Sequence, residues 1–360
     1  MLREATGGQV SRPEGFTIYL TTQADEAPAG VFKSKLQYFR DVRDGKVKDR
    51  KSLGVLYEFP EEMVERREFL KPSNFYVTNP NIGVSVDQEW LEDEYRKIAD
   101  ADDGSRQVFF AKHLNVEIGL ALSNDAWAGA RHWEDATDPE LVSLEALLAR
   151  SEVAVVGIDG GGLDDLLGLA VLGRDKVTRD WLLWSRAWAH GDVLDRRKEI
   201  APTLRDFARA GEMVICDLPT QDVIDVADIV EQVKDSGLLP DIAGVGVDAA
   251  GITAIVDELA ARGIGGEQVV AVQQGYKLNG AILGAERKLK DGTLWHAGQA
   301  LMAWCVGNAK VEMRGSAVLI TKQAAGRAKI DPLAAMFNAV MLMARNPEAK
   351  TEKAFQMIIV

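Results

Sequence analysis

The stretch Val153-Ala154-Val155-Val156-Gly157-Ile158-Asp159 decides the fold. An apolar run rich in β-branched residues that stops at a carboxylate reads as a buried strand delivering an acid to a sheet edge. A second run, Ile242-Ala243-Gly244-Val245-Gly246-Val247, stops in the same way at Asp248, and Asp331 opens an apolar helix. If the two runs are neighbouring parallel strands, their carboxylates emerge side by side, roughly 5 Å apart. Hard divalent cations need oxygen ligands, and a pair of them about 3.5–4 Å apart can hold both the attacking and the leaving oxygen of a phosphodiester. Any single Asp at a strand end also serves as a turn or cap residue, so it is the set of three that points to chemistry.

Outward from the first run, apolar segments at 153–158, 166–172 and 181–188 predict three consecutive antiparallel strands, the first two joined by the turn Asp159-Gly160-Gly161-Gly162-Leu163-Asp164-Asp165. The pattern then predicts a helix near 193–210, a strand at 213–217, a helix near 222–236, the strand at 242–247, a helix at 252–262 and a strand at 268–272. Helices near 278–290 and 298–307, a hairpin over 310–321 and a helix from Pro332 to Ala344 complete it. Three strands followed by alternating strands and helices describe an α/β fold, a ribonuclease-H-like mixed sheet flanked by helices. Upstream, 16–22 and 52–59 read as strands around a helix from about Gly30 to Asp44, followed by the turn Val77-Thr78-Asn79-Pro80-Asn81 and a charged helix from about Gln88 to Ala101. Residues 127–150 are polar and then helical, a connector.

With 360 residues the chain has room for about two domains, and 47% hydrophobic with 27% charged content is that of a soluble globular protein. No apolar stretch approaches the roughly 20 residues that span a bilayer, and the N-terminal residues lack the apolar centre of a signal peptide. A cytoplasmic location is expected, with no membrane partner. Cys216 and Cys305, without a CxxC or a paired His, read as core fillers. The net charge of −13 hides a local reversal, since residues 271–330 carry nine basic residues against three acidic ones. Lys277, Lys310, Lys322, Arg327 and Lys329 lead into Asp331 and are the candidate contacts to a polyanion.

These residues resemble the large terminase subunit of tailed bacteriophages, the DNA-packaging motor protein. Val155-Val156-Gly157-Ile158-Asp159 with Asp165-Leu166 is similar to the first nuclease strand and hairpin of that family, and Gly246-Val247-Asp248 to its second acidic strand. The series Gln273-Gln274-Gly275-Tyr276, Gly292-Thr293-Leu294-Trp295-His296, Trp304-Cys305-Val306-Gly307-Asn308-Ala309-Lys310-Val311, Lys322 and Lys329-Ile330-Asp331-Pro332-Leu333-Ala334-Ala335 is similar in order to its C-terminal half. Leu20-Thr21-Thr22-Gln23 resembles the coupling motif of the family's ATPase lobe, and Asn79-Pro80-Asn81-Ile82-Gly83 and Lys112-His113-Leu114-Asn115 resemble its linker. The resemblance divides the chain into a C-terminal part of an ATPase lobe with linker (1–125), a connector (126–150), a nuclease domain (151–348) and a tail (349–360). No GxxxxGK[ST] loop occurs in the sequence, so ATP hydrolysis is not expected of this chain alone.

By the same resemblance Asp159, Asp248 and Asp331 would bind two Mg²⁺ or Mn²⁺ ions in a DNA endonuclease that cuts concatemeric viral DNA in the bacterial host cell. Asp159 would bridge the pair, and Asp165 is either a fourth, outer ligand or a turn residue. Double-stranded DNA, a small terminase subunit, the portal or procapsid and a separate ATPase half are the implied partners. His296 is a DNA contact or a satisfied structural residue, and Trp181, Trp184 and Trp188 read as core before stacking platforms. Two other readings stand beside this one. Gly157-Ile158-Asp159-Gly160-Gly161-Gly162 also resembles the first phosphate loop of sugar kinases and actin-like ATPases, although Asp248-Ala249-Ala250-Gly251 is a poor second loop. A non-catalytic packaging component would keep the fold without needing the three acids.

Overall fold

The computed structural model describes residues 14–24, 30–98, 105–117, 126–161, 165–198, 200–248, 253–315, 317–322 and 329–349. These form two compact units, one drawn from the segments 1–25 and 55–118, the other from 26–54 and 119–360. Helix α1 (Gly30–Arg43) belongs to the second unit, where it packs on a helix near residue 205. Residues 30–54 therefore group with residues 119–360 rather than with the 1–125 segment in which the sequence reading placed them.

The first unit holds α2 (Glu61–Glu65), α3 (Gln88–Ile98) and α4 (Ser105–Lys112) around an aromatic core. Phe69 meets Phe110 edge-on at 5.3 Å between centroids, and Phe75 meets Tyr95 at 5.7 Å. The two linker motifs find each other here, because Asn79 Nδ2 donates to the carbonyl of His113 at 2.9 Å. Gln23 is buried, with its N–H donating to Asn115 Oδ1 at 3.0 Å and its carbonyl receiving Lys112 Nζ at 3.0 Å. Residues 16–22 and 52–59, read as strands from their composition, hold no regular secondary structure and join no β-ladder among the described residues. Alternation alone does not make a strand, which also needs a hydrogen-bonded partner. Phe16, Ile18, Leu20, Leu53 and Val55 consequently stand exposed.

The second unit is a three-layer α/β/α sandwich. Helix α5 (Leu144–Arg150), capped by Ser143 Oγ, leads into β1 (Ser151–Gly160), β2 (Leu167–Asp175) and β3 (Trp181–His190). Next come α6 (Gly191–Arg196), α7 (Ala201–Arg209), β4 (Met213–Cys216), α8 (Gln221–Asp235), β5 (Val245–Asp248), α9 (Thr253–Ala261) and β6 (Val269–Val272). The unit closes with α10 (Asn279–Lys290), β7 (Leu294–His296), α11 (Ala300–Gly307), the hairpin β8 (Ala309–Arg314) and β9 (Ala317–Lys322), and α12 (Asp331–Met343).

The sheet order is β4-β3-β2-β1-β5-β6, with β7 added alongside β3. β2 runs antiparallel to β1 and β3, while β3 with β4, β1 with β5, and β5 with β6 are parallel. This is the ribonuclease-H-like arrangement, a three-strand meander extended by parallel strands reached through helices. Strand β7 has only three residues and was not foreseen, being too short to show a period. The helix expected over 193–210 divides into α6 and α7.

Period-2 alternation sorts the strand residues onto two faces. Val153, Val155, Leu183 and Ala187 join the core built with α10, α11 and α12, whereas Ala154, Val156, Ile158, Leu182 and Trp188 join the core built with α5, α8 and α9. Cys216 and Cys305 are buried free thiols. Trp181, Trp184 and Trp188 are buried too, the last donating Nε1–H to Asp225 at 3.0 Å.

Candidate active site

Strands β1, β3, β4, β5 and β6 all point the same way, so their C-terminal ends share one edge of the sheet. Ile158 is the register partner of Val247. The next residues, Asp159 and Asp248, therefore stand at neighbouring strand ends, roughly 5 Å apart along the sheet. Each acid lies two residues beyond a glycine on its own strand, Gly157 and Gly246, and so on the same face as that glycine.

Those glycines receive helix α12. A Cβ on Gly157 would stand 1.9 Å from the Ala335 carbonyl oxygen, one on Gly168 2.5 Å from the Asp331 carbonyl carbon, and one on Gly246 3.1 Å from Leu342. Gly168 is also the register partner of Asp159. Without side chains at these three points the helix lies directly on the sheet face that carries Asp159 and Asp248, with its N-terminus at their edge. Asp331, the first residue of α12, is 3% exposed, and its Oδ1 lies 3.2 Å from where a Cβ on Gly160 would be. The aligned peptide dipoles of α12 favour a carboxylate at that end. Gly160 takes φ +83°, and its Cβ would collide with the Leu166 carbonyl oxygen at 2.3 Å. The tight strand exit after Asp159 therefore requires glycine.

Asp165 and Lys329 form a close ion pair, with the Lys329 side chain 3% exposed. Lys329, read from the sequence as a DNA contact, is thus enclosed beside the acids rather than displayed on the surface. Asn308 Nδ2 donates to the Lys329 carbonyl at 3.1 Å, so the residue that leads into β8 is tied to the chain two residues before Asp331. Lys277 is exposed on the approach to α10, and Lys310 is half-buried on β8. Lys322 ends β9, while Arg327 and the turn residues Gly162, Leu163 and Asp164 lie outside the described residues.

His296 is buried and stacks on Trp133 with ring centroids 4.1 Å apart. Its Nε2 donates to the Trp133 carbonyl at 2.5 Å and its Nδ1 accepts the Gly298 N–H at 3.1 Å. Burial pushes its pKa down to about 4, which keeps the ring neutral and makes it a packing residue.

Of two polar residues here, Asn338 was not singled out from the sequence, and Gln274 entered only within the stretch Gln273-Gln274-Gly275-Tyr276. Asn338 is fully buried and donates Nδ2 to the Ile158 carbonyl at 2.9 Å, and Gln274 donates Nε2 to Asn338 Oδ1 at 2.9 Å. The available signal was that Asn338 interrupts an otherwise apolar helix, Pro332 to Met343.

Among the described residues, no three His, Cys, Asp or Glu side chains lie close enough to form a ready-made metal cage. The donors at this edge are nonetheless all carboxylates, suited in kind to Mg²⁺ or Mn²⁺ and not to the softer metals. Mg²⁺ itself is commonly held by only one or two carboxylates, with water and substrate phosphate completing the shell.

A ribonuclease-H-like sheet with acids at the ends of its first and fifth strands, and a third acid on the closing helix, defines the class of protein. The family model of the terminase large subunit, endonuclease domain, matches residues 53–348, and the chain belongs to that family. Protein YmfN of Escherichia coli strain K12 is 23% identical over 275 residues, a match covering 74% of this chain and 57% of that protein. The chain thus spans a little over half the length of this curated relative. Among solved structures, the large terminase of bacteriophage HK97 aligns over 87% of this chain and 61% of its own, at 18% identity and TM-score 0.49. The magnesium-bound large terminase nuclease of thermophilic phage G20c aligns over 52% of this chain and 80% of its own, at 13% identity and TM-score 0.34. Among the described residues no helix is long and apolar enough to cross a membrane.

Proposed function

We propose that this chain is the metal-dependent DNA endonuclease of a phage or prophage packaging terminase, cutting concatemeric double-stranded DNA by phosphodiester hydrolysis. The observation that carries the reading is the convergence of Asp159, Asp248 and the buried N-terminal Asp331 of α12 on one face of one sheet edge. Asp159, between the other two, is the candidate to touch both ions, with Asp248 and Asp331 each holding one. Two Mg²⁺ or Mn²⁺ ions bound there would neutralise the scissile phosphate and acidify an attacking water. The chain's own part is positional: the strand ends fix two carboxylates, the helix fixes the third, and the hairpin and Lys277 offer cations to the DNA backbone.

Asp165, paired with Lys329, orients that ammonium toward the acids in this reading rather than serving as a fourth ligand. A small terminase subunit and a portal or procapsid are the proposed partners. The test is cleavage of plasmid DNA in Mn²⁺ or Mg²⁺ against a chelator control. Asp159→Asn, nearly constant in shape, should lower cleavage at least a hundredfold, about the size of removing one essential charge-stabilising group, while the melting temperature stays within a few degrees. Cutting that survives the chelator, or the substitution, overturns the proposal.

A further inference from the structure

A polar relay joins the two elements that carry Asp159 and Asp331, β1 and α12, to β6, the strand alongside the one that carries Asp248. Asn338 lies seven residues after Asp331 on α12, two turns along and on the same side of the helix. It is completely buried, and its Nδ2 donates to the Ile158 carbonyl at 2.9 Å. That oxygen belongs to the planar peptide unit whose other end is the nitrogen of Asp159, so holding it fixes the plane from which Asp159 departs. Gln274 Nε2 donates to Asn338 Oδ1 at 2.9 Å and also to the Val272 carbonyl at 3.3 Å, and Val272 is the register partner of Asp248.

The ends of the relay set its polarity. Both terminal groups, the Ile158 and Val272 carbonyls, can only accept, so each must meet an amide NH₂, and the single remaining link must run from Gln274 to Asn338. Neither amide can flip without placing oxygen against oxygen. Gln274 thereby dictates which end of Asn338 faces the Asp159 peptide. An apolar residue would fill the volume at 338 equally well, and a fully buried amide is retained against its desolvation cost only when its bonds are satisfied, as they are here.

We infer that Asn338 and Gln274 are positioning residues that hold Asp159, Asp248 and Asp331 in mutual register for cation binding, an inference that rests on the endonuclease reading above. Their action is through the Ile158–Asp159 peptide, the helix that Asp331 opens and the strand beside Asp248, and neither is a ligand.

The experiment compares wild type, Gln274→Met, Gln274→Glu and Asn338→Leu. Each is read in two ways: the Mn²⁺ concentration giving half-maximal cleavage of plasmid DNA, and the Mn²⁺-induced rise in melting temperature without DNA. Gln274→Glu converts a donor into an acceptor and reverses the relay, turning the Asn338 oxygen toward Ile158. The expected result is a shift of the Mn²⁺ midpoint to at least about tenfold higher concentration, as for loss of an outer-shell partner, with the maximal rate at saturating Mn²⁺ much less changed. Gln274→Met, which removes the donor without reversal, should shift the midpoint less. Asn338→Leu should shift it most if it folds, and Gln274, only half-buried, keeps the test open if it does not. Wild-type midpoints in Gln274→Glu, with the thermal response to Mn²⁺ unchanged, would overturn the inference. A wild-type protein showing no Mn²⁺ dependence would instead overturn the endonuclease reading itself.

Discussion

His296 shows how far a single residue can be carried by its surroundings. Next to the family-like Leu294-Trp295 pair, it looks like a group that could meet a phosphate. In the fold both ring nitrogens are engaged and the ring is stacked on Trp133. With the folded pKa down at about 4 and the unfolded value near 6.5, the unfolded chain binds the extra proton first as pH falls. Stability from this residue is therefore complete above about pH 6.5 and is lost progressively down to about pH 4. At pH 5 the loss relative to pH 7 is on the order of 2 kcal/mol. Urea unfolding at pH 7 and pH 5 should show this difference in wild type and a clearly smaller one in His296→Gln. Equal pH slopes in the two proteins would mean that the ring is not held neutral by the fold.

Helix α12 is the element on which the site depends, and glycines admit it. The Ala335 backbone lies where a Cβ on Gly157 would be, at 1.9 Å, so Gly157→Ala has to push the helix off the sheet. Overpacking of this kind costs about 1–3 kcal/mol or more. The displacement also moves Asp331 away from Asp159, so cleavage should fall further than the stability loss explains. Gly280→Ala is the control, because a Cβ there meets nothing within 4 Å. A Gly157→Ala protein cutting DNA at the wild-type rate would show that helix seating does not set the site. The strands and helices of the larger unit were legible in the sequence because their periods are long and their ends are marked by acids, glycines and Pro332. The glycine docking and the Asn338 relay were not, since they join residues 64 to 180 positions apart. The stretches 16–22 and 52–59 were misread as strands for the same reason, pairing being a tertiary property that composition does not contain.

At the scale of the whole molecule the charge distribution makes the strongest demand. A chain of net charge −13 repels DNA on average, so binding has to come from local cations. The β8–β9 hairpin bearing Lys310 and Lys322 is anchored beside Asp331 through Asn308 and Lys329, while Lys329 itself is turned inward to Asp165. The basic residues near the acids thus divide into two kinds, and salt separates them. Each surface cation that meets a phosphate releases counterions on binding, so log affinity should fall linearly with log salt, with a slope that drops by about 1 for each such Lys removed. Lys277→Ala should flatten that slope and weaken binding alike on unrelated DNA sequences, with little change in melting temperature, and Lys310→Ala and Lys322→Ala should flatten the slope as well. Lys329→Met should do the opposite, leaving the slope unchanged and lowering the melting temperature, because it removes the partner of Asp165 from an enclosed pair. Fluorescence anisotropy of labelled duplex across a salt series, with the catalytic acids silenced by Asp159→Asn, measures both. A Lys329→Met protein with a flattened slope and unaltered stability would return that lysine to the DNA-facing surface.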